Sequence, residues 1–199
     1  MGAIAIIDSG GANISSIQFA LERLGKTADL TNDAAVIRSA ERVLLPGVGA
    51  AKDAMSRLHD AKLVEVIRGL KQPVLGICLG MQLLLDGSEE ENVDCLGIVP
   101  GTAALLPSTP GYPVPNMGWC ATTKTSEHSI LDDISDDSYF YYLHSYALPV
   151  SEFTLATATH ASEFSAIVGR DNFLAVQFHP ERSSRVGAQL LDNFLGTVA

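Results

Sequence analysis

Short apolar runs alternate with stretches of helical periodicity through roughly the first 85 positions. Ala3-Ile4-Ala5-Ile6-Ile7, Val43-Leu44-Leu45 and Pro73-Val74-Leu75-Gly76-Ile77 are apolar almost throughout. Runs of that length without polar alternation suit strands covered on both faces. Between the first two, Ile14, Ile17, Leu21 and Leu24 recur at helical spacing, with Gly25 where a helix end takes a left-handed residue. Beyond the Pro46-Gly47-Val48-Gly49 stop, a helical stretch is expected to about Leu70, and 79–85 reads as another helix. Repeated strand–helix units imply an α/β fold with a mostly parallel sheet and helices on both faces.

The second half differs. Residues 98–125 are rich in Pro, Gly and Thr, as short strands and turns require. Segments 139–142, 153–158, 164–168 and 173–178 read as further strands, antiparallel in part. Ser183 or Ser184 can cap a last helix whose Val186, Leu190 and Phe194 are spaced by four. The acidic runs at 89–91 and 132–137 read as solvated loop faces.

With 199 residues there is room for one ordinary domain, and 47% hydrophobic content supplies its core. A net charge of −10 repels phosphate backbones and anionic lipid, which argues against nucleic-acid or membrane partners. No apolar run approaches the roughly 20 residues of a membrane span. The N-terminal run lacks a basic flank and meets Asp8, so it reads as a core strand rather than a signal peptide. Cys78, Cys95 and Cys120 are odd in number and widely spaced, which indicates neither disulfides nor a metal site and fits a reducing cytoplasm.

Gly76-Ile77-Cys78-Leu79-Gly80 places a cysteine between glycines at a strand-to-helix junction. That is the form of a nucleophile elbow with sulfur in place of oxygen. The turn crowds its neighbours, so only glycines fit beside it. The following helix aims its N–H groups and positive dipole end at the sulfur, which favours a thiolate. The backbone N–H of Leu79 is then placed to stabilise an oxyanion. On these residues alone Cys78 could still be a buried small hydrophobe. Cys95 and Cys120 have no such setting and read as structural.

A thiol nucleophile needs a base, and the base an orienting group. His59, His128 and His160 lie in polar surroundings and read as surface. His179, in Phe178-His179-Pro180-Glu181, has a carboxylate two positions on, which an extended chain would turn to the same side. A strand-end His-Pro turn with a solvated Glu181 is the plain alternative. Gly47 and Gly49 would let the Val48 peptide swing to supply a second oxyanion donor, or simply make a turn.

Taken together, Gly76-Ile77-Cys78-Leu79-Gly80-Met81-Gln82, His179-Pro180-Glu181 and Pro46-Gly47-Val48-Gly49 resemble the motifs of class I, triad-type, glutamine amidotransferases. Within that class the chain is most similar to the glutaminase subunits of imidazole glycerol phosphate synthase, in histidine biosynthesis. Asp8-Ser9-Gly10-Gly11-Ala12-Asn13, Ser88-Glu89-Glu90, Pro115-Asn116-Met117-Gly118-Trp119, His144-Ser145-Tyr146 and Val176-Gln177-Phe178-His179-Pro180-Glu181-Arg182-Ser183 carry the likeness over essentially the whole chain.

The resemblance implies one glutamine amidotransferase domain over 1–199, with a flavodoxin-like open mixed sheet. It implies hydrolysis of L-glutamine to glutamate and ammonia by a Cys78–His179–Glu181 triad through a γ-glutamyl thioester. Val48 and Leu79 would form the oxyanion hole, and Gln82, Glu90 and the backbone of Ser145 and Tyr146 would bind substrate. No organic cofactor or metal is implied. Ammonia becomes non-nucleophilic ammonium in water, so the implied partner is a docked (β/α)8-barrel cyclase subunit, with Asn13, Trp119 and Arg182 expected at the interface. Asn116 replaces the usual His of the Pro-His-Met-Gly-Trp segment, Cys120 the usual Asn after it, and Ala12 a common Gly. The segment holding Asn116 and Cys120 is expected to face the partner. Rival readings are a glutaminase of another pathway, a non-catalytic interaction subunit and a free-standing cysteine hydrolase.

Overall fold

The computed structural model describes residues 3–10 and 14–196. Asn13 and Ala12 lie outside the described residues. Strand β1 (Ile4–Ile7) leads to α1 (Ile14–Arg23), β2 (Ala28–Thr31), α2 (Ala34–Ser39) and β3 (Arg42–Gly47). Helices α3 (Ala51–Asp60) and α4 (Val64–Arg68) precede β4 (Val74–Cys78) and α5 (Leu79–Leu84). Then follow β5 (Leu85–Ser88), β6 (Val93–Asp94), β7 (Val99–Leu105), β8 (Asn116–Lys124), β9 (Ser138–His144) and β10 (Tyr146–Ala147). Strands β11 (Thr154–His160), β12 (Ser162–Arg170) and β13 (Phe173–Val176) and helix α6 (Ser184–Gly196) complete the chain.

Among the described residues the main sheet has nine strands in the order β2-β1-β3-β4-β13-β12-β11-β8-β9. From β2 to β13 neighbours run parallel. From β13 to β9 they run antiparallel. The sheet is therefore mixed, as expected, with the parallel part in the first half of the chain joined by β13. A smaller sheet, β10-β7-β5-β6, packs beside it and was not legible in the sequence.

Strand alternation divides the core in two. Ala5, Ile7, Val43, Leu45 and Val74 face one cluster, which α3, α4 and α5 cover. Ile4, Ile6, Leu44, Leu75 and Ile77 face the other, which α1 and α6 cover with Ile17, Leu21, Leu190 and Phe194. Burial on both faces is why these strands read as unbroken apolar runs.

The expected single helix after Gly49 is two. Lys62 takes φ +56° and stops α3, with Lys62 N–H donating to His59 O and Leu63 N–H to Leu58 O. Gly25 (φ +72°) ends α1 with the same pair of bonds, to Glu22 O and Leu21 O. A lysine in the left-handed position gives no sequence signal, whereas a glycine does. Strand β2 and helix α2 were also not foreseen: β2 is a short edge strand with exposed Asp29 and Leu30. His160, expected on the surface, is buried, with Nε2 bonded to Pro113 O at 2.7 Å. His59 is exposed, as expected, and His128 is half-buried.

Candidate active site

Parallel register brings Gly47 of β3 opposite Cys78, the last residue of β4. The chain must reverse there into α5, and Cys78 pays in conformation, with φ 55° and ψ −109°. That is strained for a residue carrying a Cβ. The glycines beside it are steric necessities. A Cβ on Gly80 would lie 1.7 Å from Leu45 O, and one on Gly76 2.8 Å from Gly80 O. Helix α5 has only six residues, so what faces the sulfur is a single short helical start.

His179 arrives from β13, which pairs in parallel with β4. Its backbone N–H donates to Tyr141 O of β9 at 2.9 Å. The residues after it do not continue extended, as the sequence suggested; Pro180–Arg182 forms a 3-10 turn. The turn still brings Glu181 Oε1 to 2.9 Å from His179 Nδ1. Glu181 is deeply buried, and its Oε2 has no hydrogen-bond partner among the described residues. A buried carboxylate with one free oxygen is costly unless a charge faces it. The imidazole supplies that charge. Burial works against protonated His179, but hydrogen bonds and charge from Cys78 and Glu181 outweigh it and push its pKa up to about 10.

Cys78 and His179 open into one pocket of about 310 Å³. Its lining also includes Val48, Leu79, Gln82, Glu90, Ser145, Tyr146, Glu181 and Arg182. The structure thus gathers every described site residue of the sequence analysis at one place except Trp119. Val48 stands at the rim between Gly47 and Gly49 (φ +93°). Ser9 Oγ donates to Pro46 O at 2.6 Å and ties the N-terminal loop to this turn. Glu90 escapes the solvated-run reading: its Oε2 accepts from Ala51 N–H at 3.3 Å as it borders the pocket. Gln82 is buried and donates to Tyr146 O at 3.0 Å.

Two contributors were missed. Gln177 is fully buried; its Oε1 accepts from Gln82 Nε2 at 3.3 Å, and its Nε2 lies 4.0 Å from Cys78 Sγ. Its place two before His179 was the available signal. The sequence offers Ser183 or Ser184 as a helix cap; the Ser183 hydroxyl instead donates to His179 O at 2.6 Å and accepts from Tyr141 N–H at 3.0 Å. It clamps the His179 backbone to β9.

Beside the pocket, β8 and β9 turn one face outward. Met117, Trp119, Tyr139 and Leu143 are exposed there, with Trp119 at 51%. Trp119 packs edge-on to Tyr141, centroids 6.1 Å apart, and the Arg182 guanidinium lies 6.0 Å over the Tyr141 ring. Asn116, next to Met117 on β8, lies on the opposite face and is buried. It does not face outward as its segment was expected to.

Residues 5–198 match the family described as Glutamine amidotransferase class-I. The chain belongs to the class I glutamine amidotransferases. It is 49% identical over 190 residues to imidazole glycerol phosphate synthase subunit HisH of Mannheimia succiniciproducens, covering 96% of this chain and 97% of that one. The HisH subunit of Vibrio cholerae is 46% identical over 198 residues, at the same coverages. Among solved structures, a glutamine amidotransferase superposes with a TM-score of 0.76 at 16% identity, covering 98% of both chains. PurLQS of Thermotoga maritima gives 0.71 at 18%, covering 98% of this chain and 99% of that one. These two support the α/β fold. Three family motifs, from β3, β4 and the segment after β13, line a single cavity in this amidotransferase.

Proposed function

We propose that this amidotransferase is the glutaminase subunit of an imidazole glycerol phosphate synthase. Residues 1–199 would form one glutamine amidotransferase domain that hydrolyses L-glutamine. The ammonia passes to a (β/α)8-barrel cyclase subunit in a heterodimer, which makes imidazole glycerol phosphate and AICAR for histidine biosynthesis. The convergence of Cys78 with the His179–Glu181 pair in one pocket carries the reading.

Each step follows from a group in place. Cys78 transfers its proton to His179, and the sulfur attacks the side-chain amide carbon of glutamine. The resulting oxyanion is held by the N–H groups of Leu79 and Val48, each donor worth about 2.7–4 kcal/mol. Glu181, buried against Nδ1, fixes the imidazole so that Nε2 faces the reacting atoms, and stabilises its charge. His179 then protonates the leaving nitrogen, and ammonia departs from a γ-glutamyl thioester. Water loses a proton to His179 as it attacks the thioester carbon, and glutamate leaves when sulfur recovers that proton. Gln82, Glu90 and the backbone of Ser145 and Tyr146 hold the substrate.

Ammonia must not meet bulk water, so the pocket needs a cover. Trp119 and Arg182, on the aromatic face contiguous with the pocket rim, fit a docking surface for the cyclase; Trp and Arg are the usual anchors of such contacts. A net charge of −10 fits neither nucleic acid nor membrane as partner. No helix among the described residues is long and apolar enough to cross a membrane. Free thiols at all three cysteines suit the cytoplasm.

The test is Cys78→Ala in the reconstituted synthase. Glutamine-dependent synthesis should vanish while ammonia-dependent synthesis persists. Retention of the glutamine-dependent rate, or loss of both, would overturn the assignment.

A further inference from the structure

The inward face of β8 carries two side chains the mechanism leaves unused, Asn116 and Cys120. They begin a hydrogen-bonded line that ends inside the glutamine pocket. Its polarity is fixed by a backbone carbonyl, which can only accept. His144 Nδ1 lies 2.9 Å from Tyr146 O and must therefore carry hydrogen. In a neutral imidazole that leaves Nε2 bare, and Asn116 Nδ2 donates to it at 3.1 Å. The other end of the amide, Oδ1, accepts from the Cys120 thiol at 3.5 Å, which holds the amide in the required sense.

The chemistry of each member agrees with this direction. Burial, reinforced by the charges of His160 and His179 and opposed by the bond to Tyr146, lowers His144 to about 4, so it is neutral. Burial also raises the Cys120 thiol, opposed by its bond to Asn116, so it keeps its proton. At the far end, Tyr146 O receives a second donor, Gln82 Nε2, at 3.0 Å. Two donors occupy both acceptor directions of this carbonyl and fix the peptide's orientation. Ser145 and Tyr146 line the cavity beside Cys78.

We propose that Asn116 is a positioning residue for glutamine: through His144 it fixes the Tyr146 carbonyl, and with it the Ser145–Tyr146 wall of the substrate pocket. The inference rests on the proposed glutaminase reading, because it assigns that wall to substrate. Asn116 touches neither glutamine nor the reacting atoms, so its loss acts on substrate affinity rather than on the bond-breaking steps.

Glutamine kinetics of the reconstituted synthase and the imidazole nitrogen spectrum of the 15N-histidine-labelled chain test it together. Asn116→Ala should raise the glutamine KM about tenfold with kcat within about twofold, the loss of one buried hydrogen bond. Asn116→His, whose ring N–H can donate to the same Nε2, should return KM to within about twofold of the parent. If Asn116→Ala does not fold, the near-isosteric Asn116→Asp reads the same coupling. Its carboxylate can only accept, so the tautomer should reverse: His144 should carry its hydrogen on Nε2 rather than Nδ1, its bond to Tyr146 O should be lost, and KM should rise. In the parent, His144 should show the neutral Nδ1–H form at pH 7. An unchanged KM in Asn116→Ala, a fall in kcat alone, or an Nε2–H form of parent His144 would overturn the proposal. A parent complex that does not hydrolyse glutamine would instead count against the glutaminase reading, and the histidine spectrum would then decide the role of Asn116.

Discussion

Strands β3 and β4 on one side of the main sheet and β8 and β9 on the other follow opposite rules. The first pair is parallel and buried on both faces, and it ends at the pocket with Gly47 opposite Cys78. The second pair is antiparallel, with Phe140 and Tyr142 turned into the core and Met117, Trp119 and Tyr139 turned out. The difference separates two tasks. The parallel side can hold a strained cysteine because packing from both faces over-determines it. The antiparallel side holds the base through two backbone contacts, Tyr141 O to His179 N–H and Tyr141 N–H to Ser183 Oγ. It also leaves Met117, Trp119, Tyr139 and Leu143 exposed on its outer face.

The largest effect should come from the group that joins the two sides. Glu181→Gln should lower glutaminase kcat by about 10³-fold, because an amide neither balances the imidazolium nor enforces its tautomer. Glu181 is one of the causes that raise His179, so its removal lowers that pKa. The imidazolium that protonates the leaving nitrogen is then lost at lower pH, and the alkaline limb of the rate profile should move down. Steady-state kinetics across pH checks both; an unmoved alkaline limb would argue that Cys78 alone sets the base.

Next come two glycines, one from each side. Gly80→Ala should destabilise the fold by about 3 kcal/mol or more, since its Cβ meets the Leu45 carbonyl on a packed strand. At Gly118 nothing lies within 4 Å, and only its φ of +144° opposes a side chain. Gly118→Ala should cost about 1 kcal/mol. Urea unfolding of both variants measures the contrast, and equal losses would erase it. The smallest effect on the isolated chain should be that of Trp119→Ala, within about 0.5 kcal/mol of the parent, as for other exposed sites. The same variant should weaken cyclase binding by about tenfold or more in calorimetry. A strongly destabilised chain with normal binding would move Trp119 from the interface to the core.

The same contrast explains what the sequence could say. Strands β1, β3 and β4 were legible because two-sided burial removes polar residues from them, and the elbow because Gly76 and Gly80 are sterically required. The stop at Lys62 was invisible, since it uses glycine's conformation without glycine. The smaller sheet escaped because its partners, Tyr146 and Leu105 for example, are brought together only by tertiary folding. His160 looked like a surface residue because the Pro113 carbonyl that satisfies it is remote in sequence. For Gln177 and Ser183 the motif was seen, but their roles depend on where β9 and α5 pack. The inward turn of Asn116 follows from strand alternation, which became readable once β8 was placed.

The most direct test of the central claim is labelling with a glutamine-like electrophile, followed by peptide mass analysis. All three cysteines carry free thiols, but only Cys78 stands in the pocket against His179. One adduct per chain at Cys78, suppressed by excess L-glutamine, is the predicted result. Modification of Cys95 or Cys120 with Cys78 untouched, or labelling that glutamine does not slow, would contradict the account.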